Sequence, residues 1–236
     1  MDIEYTVRVS QRARRLQIRI GPTGDVLVVL PQGMNSSRIE PFVHEHREWI
    51  GKVRSRLPVS QQGLPARKPG LPEKIALNAC DGLWQVSYRL GTELRSSVRE
   101  NPSMLRVNAP DQRQACQTLQ RWLTRKARDY LQPGLQQLSN ETGLSFRRLS
   151  IRSQKTRWGS CSSSGTISLN RALMFLDIGM VRYLMLHELC HTRHMNHSRR
   201  YWSLVQRFEP AYKAYEKRLR LAAFEVPGWA QAGIGD

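Results

Sequence analysis

The segment His187-Glu188-Leu189-Cys190-His191 sets two imidazoles four residues apart, with a carboxylate next to the first. On a helix, residues four apart sit about 40° apart around the axis, so His187 and His191 project side by side and can share one cation. Glu188 lies beside them, placed to take a proton from a water that the ion polarises. The chain holds six histidines and twelve glutamates in 236 residues, so this H-E-x-x-H order arises by chance on the order of 0.01 times per chain of such composition. The preceding turn, Tyr183-Leu184-Met185-Leu186, is mostly apolar. A buried helix carrying two histidines and a glutamate would be costly without a purpose. One zinc ion is the expected cofactor.

A third ligand must come from elsewhere. His197 stands ten residues after His187, the spacing of the last histidine in H-E-x-x-H-x-x-G-x-x-H patterns. Here the glycine position is His194, so the turn must be made differently. Asn196 is the candidate, because Asn tolerates the left-handed conformation. His197 is the first choice as ligand, with Glu209 in reserve. His194 reads rather as a neighbour or surface group, and Cys190 as a small core residue. His44 and His46 are two residues apart, point about 200° away from each other on a helix, and cannot form a helical metal pair.

The other dense patch runs from Arg152 to Ser162 and includes Lys155, Arg157, Trp158, Gly159 and Cys161. Gly159 and the serines suggest close backbone packing or a tight turn. Arg157 could stabilise an oxyanion, bind a phosphate or, the blander option, form a surface salt bridge. Residues 166–170 read as a strand. At a sheet edge it could pair with an extended peptide, while an ordinary sheet strand is the plainer reading. Arg157 and Asn170 are the candidate substrate-binding residues.

The elements that position these groups follow from periodicity. Residues 5–9 and 16–20 alternate, and residues 21–25 turn the chain into the apolar run 26–30. Ser37 with Glu40 fits a capping box for a helix to about Leu57, burying Ile39, Phe42, Val43, Trp49, Ile50 and Val53. Prolines and glycines at 58–72 read as a linker or long surface loop. Three β-runs follow, near 74–79, 83–91 and 94–108. Asp111 could cap a helix to about residue 131, which Pro133-Gly134 interrupts before a second stretch to about 140. Strands at 147–152 and 166–170, a helix capped by Asp177 and a last helix over 199–222 complete the chain. A β-rich first part and an α-rich last part argue an α+β fold. The expected organisation is an N-terminal β-rich region with a helix over 1–58, a linker over 59–72, a catalytic domain over 73–222 and a C-terminal tail over 223–236.

Composition bounds the function. Lys and Arg number 37 against 19 Asp and Glu, a net charge of +18, and apolar residues make up 40%. A packed core is therefore feasible. No apolar run approaches the roughly 18 residues of a membrane span, and the start, Met1 to Tyr5, is acidic and lacks the apolar stretch of a secretory signal. The four cysteines match no disulfide scaffold and no CxxC pair, which predicts reduced thiols in the cytoplasm. The charge suits nucleic acid or another polyanion. However, 30 of the 37 basic residues are arginine, which genome base bias alone can produce.

Taken together, Arg157 to Cys161, Ile167 to Asn170, His187 to His191, Asn196-His197-Ser198 and Tyr201-Trp202 resemble the YgjP-like metallopeptidase family, which is related to the SprT-like and WLM zinc proteases. Ser10 to Arg15, the hairpin, Pro31 and Arg47 to Ile50 are similar too. The resemblance implies a zincin-like catalytic core after an N-terminal β-hairpin-plus-helix region. By motif position it implies His187, His191 and His197 as ligands and Glu188 as catalytic acid/base. The SprT-like and WLM relatives act on proteins bound to DNA, which by analogy makes nucleic-acid-associated proteins candidate substrates. This chain lacks a recognisable zinc finger or partner-binding tail.

The leading expectation is thus a zinc metallopeptidase that attacks peptide carbonyls with a metal-activated water, acting on protein or peptide substrates away from membranes. The alternative is a nucleic-acid-binding protein whose zinc is structural and closed by a fourth ligand, Cys190 or His194. A hydrolase acting on something other than peptides is a third reading. No carboxylate cluster offers a second metal site, which weakens a two-metal phosphoesterase.

Overall fold

The structure is a computed structural model and describes residues 3–11, 13–21, 24–55, 70–154 and 156–231. Outside them lie Pro22 and Thr23 of the expected hairpin turn, Leu57, residues 59–69 of the expected linker, Lys155 of the dense patch, and residues 232–236. The chain divides into two compact units, residues 1–69 and residues 70–236.

In the first unit, β1 (Tyr5–Ser10) runs parallel to β3 (Val26–Pro31), and β2 (Gln17–Ile20) runs antiparallel to the other edge of β3. As the middle strand, β3 reads as a nearly continuous apolar run, and Val26, Val28 and Leu30 pack with Ile39, Val43 and Ile50 in one core. Two helices cover it, α1 (Ile39–Glu45) and α2 (Arg47–Arg54). The expected single helix breaks at His46, whose Nδ1 lies 2.8 Å from the Phe42 carbonyl. The expected Ser37–Glu40 capping box is also replaced. Asn35 accepts from the Ser37 amide at 3.0 Å and caps a 3-10 turn, Ser36–Arg38. Trp49, expected in the core, is 47% exposed, because α2 buries the stripe of Ile50 and Val53 and Trp49 sits about 100° from Ile50 around the axis.

The second unit opens with β4 (Lys74–Leu77), β5 (Gly82–Leu90), β6 (Ser97–Asn101) and β7 (Met104–Ala109), in the order β4-β5-β7-β6. The run expected at 94–108 is two strands, β6 and β7, joined by a hairpin. One face of this sheet, with Ile75, Leu77, Trp84, Leu105 and Val107, packs under α3 (Gln112–Thr142), which Asp111 caps by accepting from the Gln114 amide at 2.8 Å. The helix runs through Pro133-Gly134 without the expected interruption. A proline inside a helix costs about 3 kcal/mol. Leu131, Leu135 and Leu138 flank it and are all buried, each worth about 1.5–3 kcal/mol, so burial wins.

A second sheet combines β8 (Arg148–Arg152), β9 (Gly159–Cys161) and β10 (Thr166–Asn170) in the order β8-β10-β9. The strand expected as a candidate edge, β10, is therefore the middle one, and β9 is an edge. Burial of Ile167 and Leu169 suits that central place. Helix α4 (Ile178–His191), capped by Asp177 accepting from the Met180 amide at 3.0 Å, packs against α3, β9 and β10. It buries residues on nearly every side, from Met180 to His191. The expected last helix is two, α5 (Arg199–Phe208) and α6 (Tyr212–Ala222). Pro210 drives the residue before it out of helical geometry, and Glu209 has φ −139° and ψ 86°. Beyond α6, Trp229 packs edge-on against Phe175, and Gln120 Nε2 donates to the Trp229 carbonyl at 2.7 Å. The architecture is α+β, and no helix among the described residues is long and apolar enough to cross a membrane.

Candidate active site

His187 and His191 project from the last turn of α4, and His197 from the segment joining α4 to α5. The Nε2 of His197 lies 3.2 Å from that of His187 and 3.1 Å from that of His191. Among the described residues, this is the single group of three or more metal-ligating side chains with donor atoms all within 4.8 Å of one another. The chain reaches this geometry without a left-handed asparagine. Among the described residues Asp81 is the sole non-glycine with positive φ, so the turn expected at Asn196 is made otherwise. The amides of Arg193 and His194 both close on the Cys190 carbonyl at 3.1 Å, and Ser198 then caps α5.

The other candidates stand apart from the group. Cys190 is fully buried, and burial pushes its thiol up to about 12. His194 contributes its carbonyl, which lies 3.0 Å from His191 Nδ1. Glu209 Oε1 accepts from the Ala211 amide.

Each ring is oriented from outside. A carbonyl can only accept, so the His194 contact makes Nδ1 the protonated nitrogen of His191 and leaves the Nε2 lone pair free. His187 Nδ1 faces the Glu216 carboxylate of α6 at 3.8 Å and the Tyr183 hydroxyl at 3.4 Å, and that hydroxyl donates to Glu216 at 2.5 Å. The Tyr201 ring stacks on His191 and its hydroxyl donates to the His187 carbonyl at 3.1 Å, while Trp202 stacks on His197. No spacing rule points to Glu216. It lies on a different helix and meets His187 through packing alone. Burial first, then the neighbouring His191 and His197, push the His187 imidazole down to about 3, and burial lowers His191 too.

Imidazole lone pairs turned toward one point repel each other unless a cation lies there. Two of the Nε2 separations, 3.1 and 3.2 Å, come close to the edges, about 3.3–3.4 Å, of a tetrahedron with bonds of about 2.0–2.1 Å, and all three donor atoms lie within 4.8 Å of one another. The donor set therefore fits a metal ion. Glu188 sits alongside, 4% exposed, with Oε2 lacking any hydrogen-bond partner among the described residues, and burial pushes its carboxyl up to about 8.

The Glu188 side chain lies flat on Gly159 of β9. A Cβ there would stand 2.4 Å from Glu188 Oε1 and 2.8 Å from its Cδ. The carboxylate is the mobile end of a side chain, so it, rather than the backbone, would give way. Gly159→Ala should keep the fold and the bound metal but lower kcat by about 10²-fold, the effect of moving a reacting group by about 1 Å. Circular dichroism, metal content and kcat on one preparation check this, and an unchanged kcat would show that the contact has no bearing on turnover.

Asn170 is buried and ties the neighbouring loop down. Its Nδ2 donates to the carbonyls of Gln154 at 2.7 Å and Arg157 at 3.0 Å, and its Oδ1 accepts from the Ala172 amide. Arg157 is exposed and, among the described residues, makes no ion pair, so the surface salt bridge weighed for it is absent. Arg157, Trp158, Gln154 and Asn170 line a cavity of about 350 Å³ that adjoins Gly159 in sequence.

The model of one protein family, described as YgjP-like, metallopeptidase domain, matches residues 14–222. No curated protein matches the chain significantly. Among solved structures, the metallopeptidase zymogen of Pyrococcus abyssi abylysin is 26% identical, with a TM-score of 0.35, over 38% of this chain and 90% of that one. The metallopeptidase zymogen of Methanocaldococcus jannaschii jannalysin is 18% identical, also at 0.35, over 38% and 93%.

Proposed function

This chain belongs to the YgjP-like metallopeptidase family, and we propose that His187, His191 and His197 hold one zinc ion with which it hydrolyses peptide bonds. The family by itself makes the chain a metal-dependent peptidase. What supports the finer reading is one observation: His197 Nε2 lies 3.1–3.2 Å from the Nε2 atoms of His191 and His187, all three within 4.8 Å of one another, beside an unpartnered buried carboxylate. Imidazoles suit zinc, and three of them with no fourth protein donor among the described residues leave room for water and substrate. The group includes neither Cys190 nor the His194 ring, so nothing favours a closed structural site.

A zinc ion in this place supplies Lewis-acid polarisation of a carbonyl and a more acidic water. Glu188 takes the proton of the attacking water on its carboxylate and returns it to the departing amine. Gly159 leaves the space that this carboxylate occupies. Strand β9 presents an edge next to Glu188, where an extended peptide can add as a further strand. The Tyr183 hydroxyl, which donates to Glu216, stands 3.4 Å from Nδ1 of His187 and can accept from it, directing Nε2 inward. The cysteines are unpaired, which fits work in the reducing cytoplasm.

The test is metal analysis together with cleavage of an unstructured protein. The purified chain should carry about one zinc, lose hydrolysis when a chelator strips it, and regain it when zinc is returned. A stripped chain that keeps its full rate would refute the reading.

A further inference from the structure

The sheet of β4, β5, β7 and β6 buries one face under α3 and leaves the other open. The alternation of the strands sorts its side chains. On the open face lie Lys74 of β4, Arg89 of β5, Arg106 of β7 and Arg99 of β6, one exposed cation per strand. Three interstrand steps separate the outer strands, so the cations span about 14 Å. Arg99 stands directly opposite Arg106, a like-charge pair that destabilises a sheet. Among the described residues none of the four makes an ion pair. The one acidic residue in these strands, Glu100, belongs to the opposite face, where it accepts from Trp122 Nε1 at 2.9 Å and pairs with Lys126. Gln85, Ser87, Ser97 and Asn108 stand among the cations, and two exposed apolar side chains, Leu83 and Met104, share this face.

From this we infer that the open sheet face binds the phosphate backbone of a nucleic-acid duplex. Unpaired cations interleaved with amides and hydroxyls are the groups that contact phosphate oxygens. Among the described residues no aromatic side chain stands on this face, so it offers no platform on which the bases of a single strand would stack. Sequence-independent contact with a backbone remains. A second copy of the chain is an unsuitable occupant, because each copy carries a net charge of +18. Residues 1–69 also carry more basic than acidic groups. Nothing in this inference depends on the zinc reading.

The experiment measures fluorescence anisotropy of a labelled duplex DNA of about 20 bp with the full chain across a salt series. The parent is compared with Arg99→Gln/Arg106→Gln and with a control pair of equal charge change on α3, Arg125→Gln/Arg128→Gln. The sheet pair should weaken binding about tenfold or more and flatten the slope of log K against log salt by about 1.8, that is, about 0.9 per lost phosphate contact. The control pair should change both far less. Equal losses from the two pairs would overturn the inference, as would absent binding at low salt. Tighter binding of a single strand of the same length would remove the duplex as occupant. Polyglutamate of matched charge displacing the duplex as well as unlabelled duplex does would point to an acidic protein instead.

Discussion

Glu188→Gln should cut peptide hydrolysis by about 10²–10⁴-fold, the range for a positioned proton-transfer group, with zinc still bound. The substitution keeps the length and shape of the side chain and removes its capacity to hold a proton. Its surroundings predict a clean separation of effects. Glu188 is buried, its Oε2 has no partner, and its other oxygen lies over Gly159. Among the described residues its carboxylate makes no hydrogen bond, so little of the fold depends on its charge. The decisive measurement pairs kcat with zinc stoichiometry on the same protein. Full turnover in the variant would end the acid/base assignment. Loss of zinc together with turnover would move Glu188 from proton transfer to holding the metal site.

The second large effect is expected at His197→Ala, where zinc affinity should fall by more than the about 10–100-fold typical of losing an outer partner. Hydrolysis at limiting zinc should vanish with it. The metal-free chain should meanwhile unfold at nearly the parent temperature, because His197 is exposed and substitutions at such places usually stay within about 0.5 kcal/mol. His187 and His191 offer no such separation. His191 is buried, and His187 is braced by Tyr183 and Glu216. Calorimetric zinc titration beside thermal unfolding of the apo chain reads both quantities. Parent-like zinc affinity in the variant would remove His197 from the proposed ligand set.

Sequence by itself determined what repeats within one element. The i, i+4 spacing puts His187 beside His191 wherever a helix forms, and Asp111 and Asp177 mark helix starts because a capping carboxylate answers amides only two or three residues away. Motif similarity carried the family, since it compares residues in order and needs no packing.

Tertiary structure decided what depends on distant partners. Burial of Leu131, Leu135 and Leu138 carries α3 through Pro133, against the local preference to break. Pairing on both sides makes β10 a central strand and leaves β9 at an edge. Glu216 meets His187, and Gly159 lies under Glu188, only because α6 and β9 pack against α4. The open basic face exists because α3 takes the other side of that sheet. Local geometry is set by covalent spacing and nearby hydrogen bonds. Which surfaces meet is set by the burial of apolar area over the whole unit, a sum that no short stretch of residues contains.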